Sequence, residues 1–130
     1  MKNFSAYILT MLLAFAGSLF FPWWIIAVAA FIVAVAIPQK PAAALATGSG
    51  ALVTLWTTIA MVISFQNDDI LAKRVASILY LQGSTTYLIM VTAFLGGLVA
   101  GMAAFSGSLL RSLIFPKQKE KTSAVALAEE

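Results

Sequence analysis

The sequence contains no cysteine and no histidine. Without thiols the chain can form no disulfide bond and offers no thiolate nucleophile. Without imidazoles it lacks the commonest metal ligand and the usual acid–base group at neutral pH. We therefore expect no metal site, no cofactor and no catalytic residues, and we do not expect an enzyme.

Charge is also scarce. Charged residues make up 10% of the chain and hydrophobic residues 62%, whereas roughly 25% of an ordinary soluble domain is charged. No charged residue lies between Lys2 and Lys40, within 41–67, or within 75–110. This distribution predicts an integral membrane protein whose first partner is the lipid bilayer.

The few charged residues lie outside the apolar runs. Ion-coupled carriers usually keep an ionisable side chain at membrane depth, and no apolar run here contains one. The net charge is +3, but the basic residues flank the apolar runs, which is typical of membrane orientation. We therefore expect no nucleic-acid partner.

Four apolar runs predict four transmembrane helices. The runs are Phe4–Phe20, Trp23–Ile37, Ala42–Phe65 and Thr85–Leu110. A helix needs about 20 residues to cross the hydrocarbon core, so the second run is short. It must thin the bilayer, shelter in the bundle or gain length at its interfacial ends; alternatively, the first two runs form a re-entrant pair.

The segment between the third and fourth runs has a different pattern. Within 67–82, apolar residues recur on one helical face, and Asp69 precedes Lys73 by one turn, the favourable order for an ion pair. We predict a short interfacial amphipathic helix. A solvated cluster of ion pairs is favoured here over a cation site; its members are Asp68, Asp69, Lys73 and Arg74.

The predicted fold is thus an all-α integral membrane protein with four transmembrane helices and an interfacial helix between helices 3 and 4. Residues 1–115 form the membrane domain, and 116–130 form a basic tail that we expect to be disordered. Positive charge gathers at the chain ends and in the second loop, at Lys2, Lys40, Arg111, Lys117, Lys119 and Lys121. The positive-inside rule then predicts both termini in the cytoplasm.

One alternative concerns the N-terminus. Lys2, the apolar stretch 4–13 and Ala14-Phe15-Ala16 before Gly17 have the order of a signal peptide with a cleavage site. The apolar run continues through Phe20 without a polar stretch, which favours an uncleaved first span.

Small residues recur at four-residue spacing in the fourth run. Such spacing lets helix backbones approach closely in a membrane. The predicted helix-packing residues are Ala93, Gly97, Gly101, Ala104 and Ser108. The face they form serves either packing within the chain or contact with a second copy or another membrane protein.

Hydroxyl groups form a second pattern, on the third run. Thr47, Thr54 and Thr58 could line a polar path. Threonine hydroxyls in membrane helices more often bond to their own helix or to a neighbour.

Several short motifs carry a resemblance: Pro38-Gln39-Lys40-Pro41, Trp56, Asn67-Asp68 and the stretch Gly96–Arg111. With them the chain resembles a group of small uncharacterised four-span bacterial inner-membrane proteins to which no activity is attached. The resemblance implies a bacterial inner membrane. From the residues we predict a non-catalytic helix-packing subunit of a homo-oligomer or larger membrane complex; the alternative is a small oligomeric channel or carrier lined by the hydroxyl residues.

Overall fold

The structure, a computed structural model, describes residues 1–115 and 125–129. The described residues form helices and no strand, which confirms the all-α prediction. The main helices are α1 (Lys2–Phe20), α2 (Ile25–Ala36), α3 (Pro41–Gln66), α4 (Ile70–Ile78) and α5 (Thr85–Ile114). Most of the predicted basic tail, including its three lysines, lies outside the described residues.

Three of the helices, α1, α3 and α5, are long and apolar enough to cross a membrane. Helix α2 has 12 residues, which corresponds to a length of about 18 Å. A hydrocarbon core is about 30 Å thick, so α2 alone does not match it. By length and composition these helices fit a membrane protein, while the fourth crossing stays a prediction.

Proline residues mark the helix boundaries in two different ways. Pro41 is the first residue of α3, where its missing N–H costs nothing. Pro22 directly precedes the second run, but α2 begins only at Ile25, after a turn in which the Ile25 N–H donates to the Pro22 carbonyl (3.1 Å). Trp23 and Trp24 therefore lie in this turn, where both side chains are exposed.

The four longest helices form a closed ring of contacts. Helix α1 packs against α2 and α3, α5 packs against the same two helices, and α4 rests on α3 and α5. The start of α1 and the α2–α3 loop meet at one end of the bundle, where Gln39 Nε2 donates to Asn3 Oδ1 (3.1 Å). Arg111 of α5 also reaches this end. We call it the basic end; α4 and the turn at Trp23 lie at the opposite end.

The interior of the bundle consists mainly of small side chains. Most of the buried hydrophobic residues are alanines, and Leu52 is the largest side chain that is fully buried. Large side chains point outward instead; Phe94, for example, is 66% exposed. A soluble protein buries such residues, whereas helices in lipid place small residues at their contacts and large ones toward the acyl chains.

The most extensive contact is between α3 and α5, and glycine makes it possible. A Cβ atom on Gly48 would lie 2.7 Å from the Ala104 Cβ and 3.0 Å from the Ala100 carbonyl oxygen. These atoms belong to α5 backbone or to a side chain that cannot rotate away. The two backbones can therefore approach this closely only because Gly48 has no side chain.

We predict that Gly48→Ala destabilises the protein, by about 1–3 kcal/mol, as expected for overpacking. Gly50→Ala is the matched control, because its Cβ would meet only the ring edge of Tyr7 at 3.3 Å. Both changes bring the same gain in helix propensity, so the difference between them isolates the contact. The difference in stability is measured from the melting temperatures of the two variants in detergent. Equal melting temperatures for the two variants would contradict the packing described.

Candidate functional site

The small residues of α5 lie against α3. Gly97 and Gly101 are buried, and a Cβ on Gly97 would lie 2.5 Å from Val53 Cγ2 and 3.2 Å from the Ser49 carbonyl oxygen. A Cβ on Gly101 would meet the Ser49 side chain and the Leu45 carbonyl oxygen, the latter at 3.3 Å. Ala93, Ala104 and Ser108 are also buried. The structure thus gives these residues contacts within the chain itself.

Gly107 continues this pattern toward α2. A Cβ there would lie 2.7 Å from the Phe31 carbonyl oxygen and 3.1 Å from the Ala34 Cβ. Sequence reasoning did not include Gly107 among the packing residues. The spacing in the sequence did indicate it, because Gly107 lies three residues after Ala104 and therefore near it on the helix surface.

The contact between α3 and α5 also forms a groove on the outside of the bundle. Two adjoining depressions share Val53 and Phe94, and none of their lining residues belongs to α1 or α2. We call them together the outer groove. Helix α3 contributes Leu45, Ser49, Val53, Thr57 and Met61, and helix α5 contributes Thr86, Ile89, Met90, Ala93, Phe94, Gly97, Leu98, Gly101 and Met102.

The α3 residues that line the outer groove recur at every fourth position of the helix. Residues spaced in this way follow one ridge of an α-helix, the geometry by which helices pack ridge into groove. Gly97 and Gly101 line the groove on α5, where the space that their side chains would need is occupied by Ser49 and Val53 of α3. The groove is therefore an elongated, mostly apolar surface that runs along α3 and α5.

The predicted hydroxyl path lies elsewhere, on the side of α3 that faces α1. Thr54 Oγ1 and the Tyr7 hydroxyl form a hydrogen bond of 2.6 Å. Thr58 Oγ1 donates to the Thr54 carbonyl (2.8 Å), and Thr47 Oγ1 donates to the Ala44 carbonyl (3.1 Å). Each hydroxyl of the predicted path thus forms a hydrogen bond within the protein. Thr54 and Thr58 are exposed on the outside of the bundle.

Tyr7 was not identified from the sequence as part of this site. A tyrosine inside an apolar run usually finds a hydrogen-bond partner for its hydroxyl, so its presence in the first run was a usable signal. Choosing Thr54 as that partner required knowledge of how α1 packs on α3.

The predicted ion-pair cluster lies where α3 ends. Asp68 and Asp69 have positive φ angles of 51° and 57°, a conformation that aspartate tolerates better than most residues. The Asp69 carboxylate accepts a hydrogen bond from the buried Ser64 hydroxyl, and the Asp69 N–H donates to the Ser64 carbonyl (3.0 Å). These contacts terminate α3.

Helix α4 has no side-chain cap. Its capping position is Asp69, although Asn67 and Asp68 just before it are residue types that commonly cap helices. The Asp69 side chain instead bonds back to α3. Lys73 and Arg74 are exposed on α4, and the ion pairs proposed for them stay a prediction.

At the basic end, Arg111 joins α5 to the end of α2. Its Nη1 atom donates to the carbonyl oxygens of Val35 and Ala36, the second at 3.0 Å, and its guanidinium lies 5.2 Å from the Phe115 ring centroid. The last carbonyls of a helix have no partners within it. Arg111 therefore caps α2 with a positive charge, which the helix dipole favours at that end.

The described residues contain no group of three or more acidic side chains that could hold a metal ion. Comparisons of the chain with protein-family models, with curated proteins and with solved structures found no match. Its resemblance to small bacterial inner-membrane proteins therefore stays a prediction.

Proposed function

We propose that the chain is a non-catalytic membrane subunit that assembles with itself or with another membrane protein. It would cross the bacterial inner membrane four times, with both termini in the cytoplasm. The outer groove is the surface that we propose for assembly. The proposal depends on this groove, and not on the small-residue face as a whole, because most of that face already contacts α3.

The outer groove supports assembly for a physical reason. Lipid supplies no hydrophobic drive between helices, so association in a membrane depends on close van der Waals packing. A flexible acyl chain fills an elongated groove less well than a rigid helix with a complementary ridge. At the rim of the groove, Leu98 and Met102 are exposed and would pack against such a helix.

Glycine substitutions cannot test this interface. A larger residue at Gly97 or Gly101 would collide with Ser49 or Val53 inside the chain. A loss of assembly would then follow from disruption of the fold. The test must change residues at the rim, which have room to vary without altering the contact between α3 and α5.

We predict that Leu98→Trp weakens assembly several-fold, because the larger side chain fills the outer groove from its rim and excludes a partner helix. The measurement is the size of the complex and the set of co-purifying proteins in mild detergent. Leu12→Trp on α1 is the matched control, since Leu12 is comparably exposed (59% against 46% for Leu98) and does not line the groove.

A homo-oligomer would keep its full size in the Leu12 variant and become smaller in the Leu98 variant. A larger complex would lose its partner only in the Leu98 variant. A wild-type protein that is monomeric and partner-free in mild detergent and in cross-linked membranes would contradict the proposal, as would equal behaviour of the two variants.

The proposed topology has support at both ends of the bundle. Lys2, Lys40 and Arg111 share one end, as four crossings with cytoplasmic termini require. For α2, the exposed tryptophans in the preceding turn are of the kind that anchors at a membrane interface. Such anchoring, with local thinning of the bilayer, would let the α1–α2 hairpin cross the membrane although α2 is short.

We predict that Ser112→Cys and Ser77→Cys are labelled from opposite sides of the membrane. Both serines are exposed on helices and donate to the carbonyl three residues earlier, and the chain has no other cysteine. An impermeant maleimide added to intact spheroplasts should label only Ser77→Cys, at the outer side. Labelling of both, or of Ser112→Cys alone, would contradict the orientation.

The alternative function is a channel or carrier lined by hydroxyl residues, but the hydroxyls of Thr47, Thr54 and Thr58 already form hydrogen bonds within the protein. We therefore predict no ion or solute flux above that of protein-free liposomes. Thr54→Val, which removes the bond to Tyr7, should leave this result unchanged. A flux that appears with the wild-type protein and changes with Thr54→Val would favour the channel.

A further inference from the structure

A cavity of about 530 Å³ opens at the basic end of the bundle. Three of its lining residues are cationic: Lys2 at the start of α1, Lys40 before α3 and Arg111 near the end of α5. The polar residues Gln39, Ser108 and Ser112 also line it. No carboxylate lies among the lining residues in the described part of the chain.

The backbone adds to the positive potential of this cavity. Helices α1 and α3 both begin here, at Lys2 and Pro41, and the first N–H groups of a helix carry partial positive charge. Neither helix has a side-chain cap, so no acceptor from a capping side chain neutralises those groups. Two helix starts and three cations therefore surround one volume.

Arg111 is held in a fixed position at the cavity wall. Both of its hydrogen bonds to α2 come from Nη1, so Nη2 and Nε donate to none of the described residues. The guanidinium is also held over the Phe115 ring. A guanidinium that is fixed in this way, with donors left over, is suited to bidentate recognition of a phosphate group.

We propose that this cavity, the basic-end cavity, binds the phosphate headgroup of an anionic phospholipid. The lipid source follows from the surroundings. Phe115 forms part of the wall, and the exposed Leu113 and Ile114 precede it on α5. A headgroup in the cavity would place its acyl chains against these side chains. The inference needs only the membrane location and not the assembly through the outer groove.

The proposal differs from general attraction between basic residues and a charged membrane. General attraction depends on the number of positive charges, about 1 kcal/mol for each one near the surface, and it does not require a cavity. A site requires particular residues. Lys73 and Arg74 at the other end of the bundle provide the comparison, because removing them changes the net charge of the chain by the same amount.

The experiment measures binding of phosphatidylglycerol to the full-length protein by native mass spectrometry from detergent, with phosphatidylcholine as the neutral reference. We expect phosphatidylglycerol to bind in preference. The double variant Lys2→Gln/Lys40→Gln should weaken that binding about 25-fold, which is about fivefold for each lysine. The control double variant Lys73→Gln/Arg74→Gln should bind as the wild type does.

Two further measurements keep the test decisive. Arg111→Lys keeps the charge but loses the planar fork, so its binding should fall although the lysines remain. Inorganic phosphate at the same concentration should not displace the lipid. Equal weakening in both double variants, equal binding of the two lipids, or displacement by inorganic phosphate would each overturn the proposal.

Discussion

The close approach of α3 and α5 is the contact on which the rest of the structure depends. In lipid, apolar side chains gain little by leaving the solvent, so helices must be held by direct contact between their surfaces. Gly48 on α3 and Gly97 and Gly101 on α5 remove the side chains that would keep the backbones apart. The remaining helices pack around this pair, α1 against α3 and α2 against α5.

This contact has consequences on the outside of the molecule as well as inside. Because Gly97 and Gly101 lie at the crossing, Ser49 and Val53 of α3 occupy the space that side chains there would need, and these four residues line the outer groove together. The same residues therefore serve the internal contact and shape the surface that we propose for assembly. The large side chains that a soluble core would contain are exposed on the outside of the bundle instead.

The two ends of the bundle differ in chemistry. At the basic end, helix starts, lysines and Arg111 concentrate positive charge around a cavity. At the opposite end, Asp69 terminates α3 through its contacts with Ser64. The Asp69 carboxylate thus serves the local fold. Within the described residues, the cavity lined by three cations and no carboxylate lies at the basic end, and it is the site that we propose for an anionic headgroup.

Much of the secondary structure could be predicted from the sequence, because it depends on local properties. The third and fourth runs were predicted to begin near Pro41 and at Thr85, and α3 and α5 begin there. Proline fixes the backbone of its own residue and restricts the one before it. The short second helix could also be predicted, because Pro38 and Pro41 follow the second run and prevent the helix from continuing.

Other features could not be predicted, because they depend on which helices become neighbours. Helical spacing showed that Gly97 and Gly101 share a face, but many partners satisfy the same spacing. The pairing of Tyr7 with Thr54 and the cap that Arg111 places on α2 both join residues distant in the sequence. Absent charge and small-residue spacing thus determined the membrane class and the packing chemistry. Only the tertiary structure decided which face was covered and which stayed open, because that choice depends on how all the helices fit together.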